Sequence, residues 1–193
     1  MFRVGQGFDV HRHVDGASDR PLVLGGCVFE GARPLAGHSD ADVAAHAAAD
    51  ALLGAAGLGD IGRHFPDDDP RWVGADSLDL LARVAGLLRE RGWSVVNVDI
   101  KVVCERPRLA PRIVEMERNL SHAAGAPVTV AGRRAEGLGA IGRQEGIAAW
   151  SVALITTGPH TDATDGAVAG VDADAPDAPD APDAPDDLGE EGA

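Results

Sequence analysis

Two kinds of hydrophobic pattern occur along the first 155 residues of the chain. Some segments show the alternating or continuous apolar runs of strands, and others repeat apolar residues every three to four positions, as helices do. Gly, Pro and Asp residues separate them. Because the order is neither a strict βαβ repeat nor all antiparallel, we predict an α/β fold, a two-layer sandwich with a mixed β-sheet and helices on one face. The predicted strands are 2–10, 22–29, 96–104, 127–134 and 146–155, and the predicted helices are 39–56, 76–91 and 111–124.

The run GHSDADVAAHAAAD predicts the beginning of the first helix and a polar stripe along it. Ser39 suits the N-cap, Asp42 suits the reciprocal cap and the positive end of the helix dipole, and the Ala-rich run favours helix. We therefore expect the helix to begin near Ser39. At a spacing of four residues, Asp42, His46 and Asp50 lie on one side of it. A solvated face is the ordinary interpretation of such a stripe, and this segment alone leaves it open.

The tripeptide Asp9-Val10-His11 changes the interpretation of that stripe. On a strand, residues two apart project to the same face, so Asp9 and His11 can reach one ion. With His46 they supply two imidazole nitrogens and one carboxylate oxygen, which leaves a fourth tetrahedral position open, as in catalytic zinc sites. An Asp-x-His tripeptide alone is more often a turn or a satisfied pair. The combination predicts a site for Zn²⁺ or another divalent transition metal, with substrate at the open position.

Length and charge divide the chain unevenly. With 193 residues, 45% of them hydrophobic, there is room for one ordinary domain and a tail. The formal net charge is −14, and residues 159–193 hold eleven Asp and Glu but no Lys or Arg. The Ala-Pro-Asp repeats have almost no large apolar side chains to offset the entropy of ordering. We expect a catalytic domain at 1–157 and an acidic Ala/Pro/Asp-rich disordered tail at 158–193, with a solubilising or inert role favoured over partner binding.

Composition also argues against several partners. The net negative charge and the lack of a basic patch with interleaved aromatic residues predict that the protein binds no nucleic acid. We find no charged-then-apolar leader and no apolar run of membrane-spanning length, so we expect a cytoplasmic protein without a membrane partner. Cys27 and Cys104 are too few and too scattered for a disulfide framework or a thiolate zinc site. We expect both to be buried thiols.

Seven sequence blocks follow one another in an order that is informative as a whole. They are GFDVHR (7–12), LGG (24–26), GHSDADVAAHAAADALLGAAGLGDIGRHFPDDDP (37–70), GADS (74–77), NVDIKVV (97–103), RPRLAP (106–111) and GRQEGIA (142–148). Over about the first 155 residues the chain thereby resembles the 2-C-methyl-D-erythritol 2,4-cyclodiphosphate synthases of the non-mevalonate isoprenoid pathway. The resemblance implies an α/β fold of the predicted kind and a homotrimer with each active site between neighbouring subunits.

The resemblance gives a role to the loop after the first helix. Its Gly and Pro residues would otherwise indicate only a turn, with clustered Asp residues able to hold hydroxyls or a hard cation. By resemblance the loop contacts the sugar alcohol and phosphates of the substrate, and His38 and Ser39 contact the reacting phosphates. We expect His13 and His64 at the surface. The implied substrate-contacting residues of this half are Asp9, His11, His38, Ser39, Asp60, Ile61, Gly62, Phe65, Pro66, Asp67, Asp68 and Asp69.

A second group of candidate residues lies later in the chain. Glu136 resembles a ligand of a second divalent ion, and Arg143 resembles a phosphate-contacting residue, although a solvated charge pair explains them equally well. The sequence departs from the family pattern at Arg134, where a threonine that contacts the diphosphate is usual, and at Ala140, where an aromatic residue is frequent. The residues that resemble the family's cytosine pocket are Pro107, Arg108, Leu109 and Ala110.

The implied reaction converts 4-diphosphocytidyl-2-C-methyl-D-erythritol 2-phosphate, a nucleotide-linked diphosphate, to the 2,4-cyclodiphosphate with release of CMP. Zinc would polarise the terminal phosphoryl group, and Mg²⁺ or Mn²⁺ would bridge the diphosphate while the substrate's own 2-phosphate attacks. His38 and Arg134 are the residues expected to assist catalysis. Asp42 is expected to orient His38 or a metal ligand, and Asp50 to support the site.

Two other functions stay open at this stage. The free zinc position could hold an activated water, which would make the protein a zinc-dependent phosphohydrolase. The altered segment around Arg134 also allows a degenerate homologue that binds nucleotide or metal without catalysis. The products formed from the diphosphocytidyl substrate distinguish all three.

Overall fold

The computed structural model describes residues 1–158, so almost all of the predicted tail at 158–193 lies outside the described residues. Within the described part, no helix is long and apolar enough to cross a membrane. The strands of this part are β1 (Phe2–Arg12), β2 (Leu22–Leu24), β3 (Cys27–Phe29), β4 (Trp93–Val103), β5 (Val128–Arg133) and β6 (Gly146–Thr157). Its helices are α1 (Val43–Ala56), α2 (Ile61–His64), α3 (Ser77–Glu90), α4 (Ile113–Ala124) and α5 (Gly139–Gly142).

A four-stranded mixed sheet organises the fold, with the strand order β1-β6-β4-β5. Strands β1 and β4 both run antiparallel to β6, whereas β5 runs parallel to β4. Helix α1 packs on β1 and β6, α3 packs on α1 and β4, and α4 packs on β5. The predicted α/β fold with a mixed sheet covered by helices is confirmed.

The two faces of β1 differ sharply in burial. On the even-numbered face, Phe8 and Val10 are about half exposed, and on β6 so are Trp150 and Val152. Phe8 lies opposite Trp150 in the strand register, with the ring centroids 4.8 Å apart. On the odd-numbered face, β1 is covered by α1. The sheet therefore presents helices on one side and a bare apolar stripe on the other.

Glycines on β1 let α1 lie directly on the sheet. A Cβ atom built on Gly5 or Gly7 would overlap the carbonyl oxygens of Ala51 and Ala47, respectively. Only a residue without a side chain permits this close approach of two backbones. Helix α1 matches it with small residues, since almost all of its length is buried and most of that is alanine. The spacing between β1 and α1 is thus fixed by backbone contact.

The segment predicted as a single strand at 22–29 forms a hairpin instead. Strands β2 and β3 pair with each other in a separate small sheet. Gly25 and Gly26 have φ angles of 57° and 69°, which is the backbone of a two-residue type I′ turn. The prediction of one strand was wrong because the glycine pair reverses the chain within an otherwise continuous apolar run. Cys27 and Cys104 are both free and buried, as expected.

Candidate metal centre

Asp9, His11 and His46 converge at the end of β1 and the first turn of α1. One ligand atom from each lies within 4.8 Å of the others. The carboxylate oxygen Oδ2 of Asp9 is 2.9 Å from His46 Nδ1 and 3.1 Å from His11 Nε2, and these two nitrogens are 3.3 Å apart. The alternation along β1 places Asp9 and His11 on the face that α1 covers, as predicted. The predicted convergence of the three side chains is confirmed.

Hydrogen bonds from the ring nitrogens determine which atoms face the centre. His11 Nδ1 lies 2.5 Å from the carbonyl oxygen of Ala36, which leaves Nε2 toward Asp9. His46 Nε2 lies 3.0 Å from Ser39 Oγ and 2.9 Å from Ser77 Oγ, which leaves Nδ1 toward Asp9. Each imidazole thus directs one nitrogen inward while its other nitrogen is held. Metal-binding histidines have this arrangement in general.

The electrostatics of the group favour an ionised carboxylate at Asp9. Burial would raise the pKa of Asp9, but its close contacts with the His11 and His46 rings outweigh burial, and the pKa is strongly lowered. Burial would lower the pKa of His11, but the hydrogen bond to Asp9 outweighs it, and the pKa is raised. One carboxylate oxygen and two imidazole nitrogens form a donor set that fits zinc or a related transition metal.

Helix α1 begins four residues later than predicted. Its first residue is Val43, and its N-cap is Asp42, whose Oδ1 accepts hydrogen bonds from the backbone N–H groups of Ala44 and Ala45. The prediction of Ser39 as N-cap was wrong, because the Ser39 hydroxyl contacts His46 instead. Ser39 lies in the loop that leads into the helix.

The predicted polar stripe on α1 has separate roles along its length. Asp42 is fully buried, and besides its capping role it accepts a 2.8 Å hydrogen bond from the N–H of Gly26, so it does not orient His38. Asp50 accepts a 2.7 Å hydrogen bond from the N–H of Ile61 and thereby attaches α2 to α1. Burial raises the pKa of Asp50. The interpretation as a solvated face was wrong for Asp42 and His46.

A cavity of about 470 Å³ adjoins the metal centre. His38 borders it, with Nε2 at 3.0 Å from the carbonyl oxygen of Asp69. The N-terminal end of α2 forms part of its wall, and aromatic and aliphatic side chains form much of the rest. The residues around it are Asp9, His11, Gly37, His38, Ser39, His46, Ile61, Gly62, Phe65, Pro66, Asp67, Trp72 and Leu80.

Three acidic residues of the predicted loop do not line this cavity. Asp60 caps α2 by accepting from the N–H of Arg63. Asp69 caps the short turn Pro70–Trp72 and forms an ion pair with Arg71. Asp68 is exposed. Two of the loop carboxylates thus hold the loop's own backbone.

A second, smaller cavity of about 200 Å³ contains the residues that resemble the cytosine pocket. It shares no residue with the cavity at the metal centre. Arg134 lies at this second cavity, where its Nε donates to Glu105 Oε2 at 2.9 Å. Its residues are Cys104, Glu105, Pro107, Arg108, Leu109, Ala110, Ile113, Gly132, Arg133 and Arg134. Within one chain, the metal centre and the residues that resemble the cytosine pocket therefore lie at separate cavities.

The model of the YgbB family matches residues 2–156. The chain belongs to the YgbB family. A curated relative, the 2-C-methyl-D-erythritol 2,4-cyclodiphosphate synthase of Symbiobacterium thermophilum, is 56% identical over 155 residues, which are 79% of this chain and 97% of that protein.

Solved structures agree with this YgbB-family assignment. The bifunctional IspDF from Campylobacter jejuni matches with a TM-score of 0.76 and 38% identity, over 82% of this chain and 43% of that one. The IspF–CDP complex of Plasmodium falciparum matches with a TM-score of 0.70 and 28% identity, over 82% of this chain and 97% of that one. The resemblance inferred from the sequence blocks is confirmed.

The remaining predicted residues of this YgbB-family chain lie away from both cavities. Glu136 is exposed at a backbone φ of 52°, and Ala140 is exposed within α5. Arg143 Nε donates to Glu145 Oε1 at 2.7 Å, so Arg143 forms a solvated charge pair, with Glu145 as its partner. His13 is buried, so its prediction as a surface residue was wrong: its ring packs where the chain pairs with Leu35, and Nδ1 lies 3.2 Å from the Pro34 carbonyl oxygen.

Sequence reasoning missed several residues around the metal centre. Ser77 contacts His46, and Asp40 contacts Ser77. Trp72 and Leu80 contribute to the cavity wall. The only signal for Ser77 was its place in the GADS block, which by itself indicates no partner. Contacts between residues more than thirty positions apart have no local sequence pattern.

Proposed function

We propose that this protein converts 4-diphosphocytidyl-2-C-methyl-D-erythritol 2-phosphate to 2-C-methyl-D-erythritol 2,4-cyclodiphosphate with release of CMP. It is a lyase of the non-mevalonate isoprenoid pathway. The observation that carries this proposal is the Asp9–His11–His46 group at the edge of a cavity of about 470 Å³. Relatives that bear the synthase name are 56% and 52% identical to the chain over 155 and 159 residues, which supports the same chemistry here.

We propose Zn²⁺ as the ion at this group, since two imidazoles and one carboxylate leave a position free for a substrate oxygen. The bound ion supplies Lewis-acid polarisation of a phosphoryl oxygen. We further propose Mg²⁺ or Mn²⁺ on the substrate diphosphate, with Glu136 as its protein ligand, because hard oxygen ligands suit these ions.

The chain's own residues bind and orient the substrate rather than attack it. An oxygen of the 2-phosphate forms a new bond to the β-phosphorus, and the bond from that phosphorus to the bridging oxygen breaks, so CMP leaves with the oxygen. Ile61, Phe65 and Trp72 form an apolar part of the cavity wall. Holding both reacting groups in a ring-closing geometry lowers the barrier by several kcal/mol.

His38 and Ser39 are the residues that we propose beside the reacting phosphates. Both border the cavity, and the ring of His38 is held by the Asp69 carbonyl oxygen. In its doubly protonated form the His38 ring still has its Nδ1–H as a donor toward phosphate oxygens, on which charge develops in the transition state. Ser39 is held by His46, whose Nε2 lies 3.0 Å from the Ser39 hydroxyl, and it borders the cavity beside His38.

We propose that the complete site forms between neighbouring subunits of a homotrimer. The metal centre and the residues Pro107–Ala110 lie at separate cavities of one chain, so a substrate with a sugar phosphate at one end and cytosine at the other would use a second chain for its base. The half-exposed stripe of Phe8, Val10, Trp150 and Val152 is an apolar surface suited to burial between copies. The measured mass should be about three times 19.8 kDa.

We also propose that residues 1–157 form the catalytic domain, which the family match over 2–156 supports. The tail at 158–193 is then an acidic extension outside the chemistry. A cytoplasmic location suits a small-molecule biosynthetic enzyme of this kind.

The experiment that tests the proposal is product analysis. Purified, zinc-loaded protein is incubated with the diphosphocytidyl substrate and Mg²⁺, and ³¹P NMR follows the products of wild type and His46→Ala. We expect a cyclic diphosphate and CMP from wild type, and loss of both bound zinc and CMP release in the variant. Inorganic phosphate or an open-chain diphosphate would instead identify a phosphohydrolase. No turnover with retained CMP binding would identify a degenerate homologue.

A further inference from the structure

Behind His46, on the side away from Asp9, a chain of hydrogen bonds leads to a carboxylate. His46 Nε2 is 2.9 Å from Ser77 Oγ, and Ser77 Oγ contacts Asp40 Oδ1. The backbone N–H of Ser77 also donates to Asp40 Oδ2, at 3.1 Å. Asp40 therefore holds Ser77 through both the side chain and the backbone.

The chemistry of the three groups fixes the direction of these bonds. An ionised carboxylate can only accept, so the Ser77 hydroxyl donates its proton to Asp40. The Ser77 oxygen then has lone pairs left for the proton on His46 Nε2. An imidazole that carries its proton on Nε2 presents a lone pair at Nδ1, which is the atom that faces Asp9 and the metal centre.

Ser39 adds to this chain without competing with it. Its Oγ is 3.0 Å from His46 Nε2 and 3.2 Å from Ser77 Oγ. It can accept from His46 and donate to Ser77, so either route from the imidazole ends at Asp40. Ser39 and Ser77 are both buried, which keeps water from replacing them.

The backbone holds Asp40 and Ser77 in place. The N–H of Asp40 donates to the carbonyl oxygen of Ala75 at 2.9 Å, and the N–H of Gly74 donates to that of His38 at 2.8 Å. Ser77 is the first residue of α3 and is 1% exposed. The loop before α1 is thus paired with the segment before α3, and the chain of hydrogen bonds crosses this junction.

We propose that Asp40 and Ser77 are positioning residues for the metal ligand His46. They hold its ring orientation and its Nε2-protonated form, and so keep Nδ1 available for the ion. This inference rests on the metal site proposed above, but it does not depend on which reaction the site catalyses. Support of a metal-binding histidine by a hydrogen-bonded partner typically changes metal affinity 10- to 100-fold.

The test compares zinc affinity, measured by competition with a chromophoric chelator, in wild type, Ser77→Ala, Asp40→Asn and the double variant Ser39→Ala/Ser77→Ala. We expect roughly tenfold weaker binding for each single variant and a larger loss, toward 100-fold, for the double variant. The double variant is included because Ser39 can accept from His46 when the Ser77 hydroxyl is removed. The visible absorption bands of the Co²⁺-loaded protein should also change, because they report ligand orientation.

Asp76→Ala is the matched control. Asp76 precedes Ser77 and caps α3 through the N–H of Leu78, at 2.8 Å, but its side chain is exposed and makes no contact with His46. We expect this variant to melt at a lower temperature and to retain wild-type zinc affinity and Co²⁺ bands. Unchanged affinity in the double variant would overturn the inference, as would an equal loss of affinity in Asp76→Ala. If the variants behave as expected but no cyclic diphosphate is formed, the proposed function fails while this inference stands.

Discussion

The substitution Gly7→Ala should separate β1 from α1 and thereby disrupt both stability and metal binding. A Cβ atom at this position would overlap the Ala47 carbonyl oxygen and lie 2.7 Å from the backbone nitrogen of Ala51. Non-bonded heavy atoms of this kind pack at roughly 3.5 Å, so α1 must retreat by at least about 1 Å. Both colliding atoms belong to the helix backbone, so no side-chain rotation relieves the contact.

Two effects of this retreat can be estimated. Inserting a methylene group into a packed interior costs about 1–3 kcal/mol, and a clash with backbone belongs at the upper end of that range. The metal centre is affected as well, because Asp9 and His11 lie on β1 whereas His46 lies on α1. Zinc–nitrogen distances tolerate about 0.2 Å, so a shift of about 1 Å weakens the contribution of His46.

The measurements are urea denaturation and zinc affinity, each compared with the control Gly54→Ala. Gly54 lies within α1, and a Cβ there would be 3.8 Å from the nearest atom, the Gln6 carbonyl oxygen. The control should gain about 0.5–1 kcal/mol from improved helix propensity and should bind zinc as wild type does. If Gly7→Ala matched wild type in both measurements, the claim that backbone contact sets the position of α1 would be refuted.

Three further predictions concern other parts of the fold. Asp42→Ala should lower the free energy of unfolding in urea by about 3 kcal/mol, because it removes the cap of α1 and leaves the partly buried N–H of Gly26 without its partner. Asp76→Ala, which removes only a cap, should lower it by about 1 kcal/mol. Burial raises the pKa of the Cys104 thiol to about 11. Because the thiol of the unfolded chain ionises at lower pH, the free energy of unfolding should fall by roughly 2–3 kcal/mol as pH rises from about 9 to 11. Cys104→Ala should reduce this fall. Arg134→Ala should raise the KM for the diphosphocytidyl substrate at least about fivefold while the melting temperature stays unchanged, because its side chain is largely exposed.

The metal centre could be predicted because each of its parts follows a local period. A spacing of two residues on a strand places Asp9 and His11 on one face, and the Ala-rich run identifies the helix that carries His46. What joins the strand to the helix is the backbone contact at Gly5 and Gly7. Local pattern does not show that contact, since a glycine in a strand is equally compatible with a bulge or a bend.

The first residue of α1 could not be chosen from local signals. Ser39 and Asp42 are both good N-cap residues, and their spacing imitates a reciprocal cap. The choice depends on tertiary contacts: His46 engages the Ser39 hydroxyl, and Ala41 takes a positive φ of 61° that ends the loop just before Asp42. The same limit explains why Asp40 and Ser77 were not predicted, since 37 residues separate them.

Anomalous diffraction at the zinc absorption edge, from crystals of zinc-loaded protein, tests the metal centre itself. We predict one peak at about 2.0–2.2 Å from a carboxylate oxygen of Asp9, Nε2 of His11 and Nδ1 of His46, with a fourth position free of protein ligands. Zinc bound elsewhere, with no peak between these three side chains, would contradict the proposed site and the chemistry assigned to it.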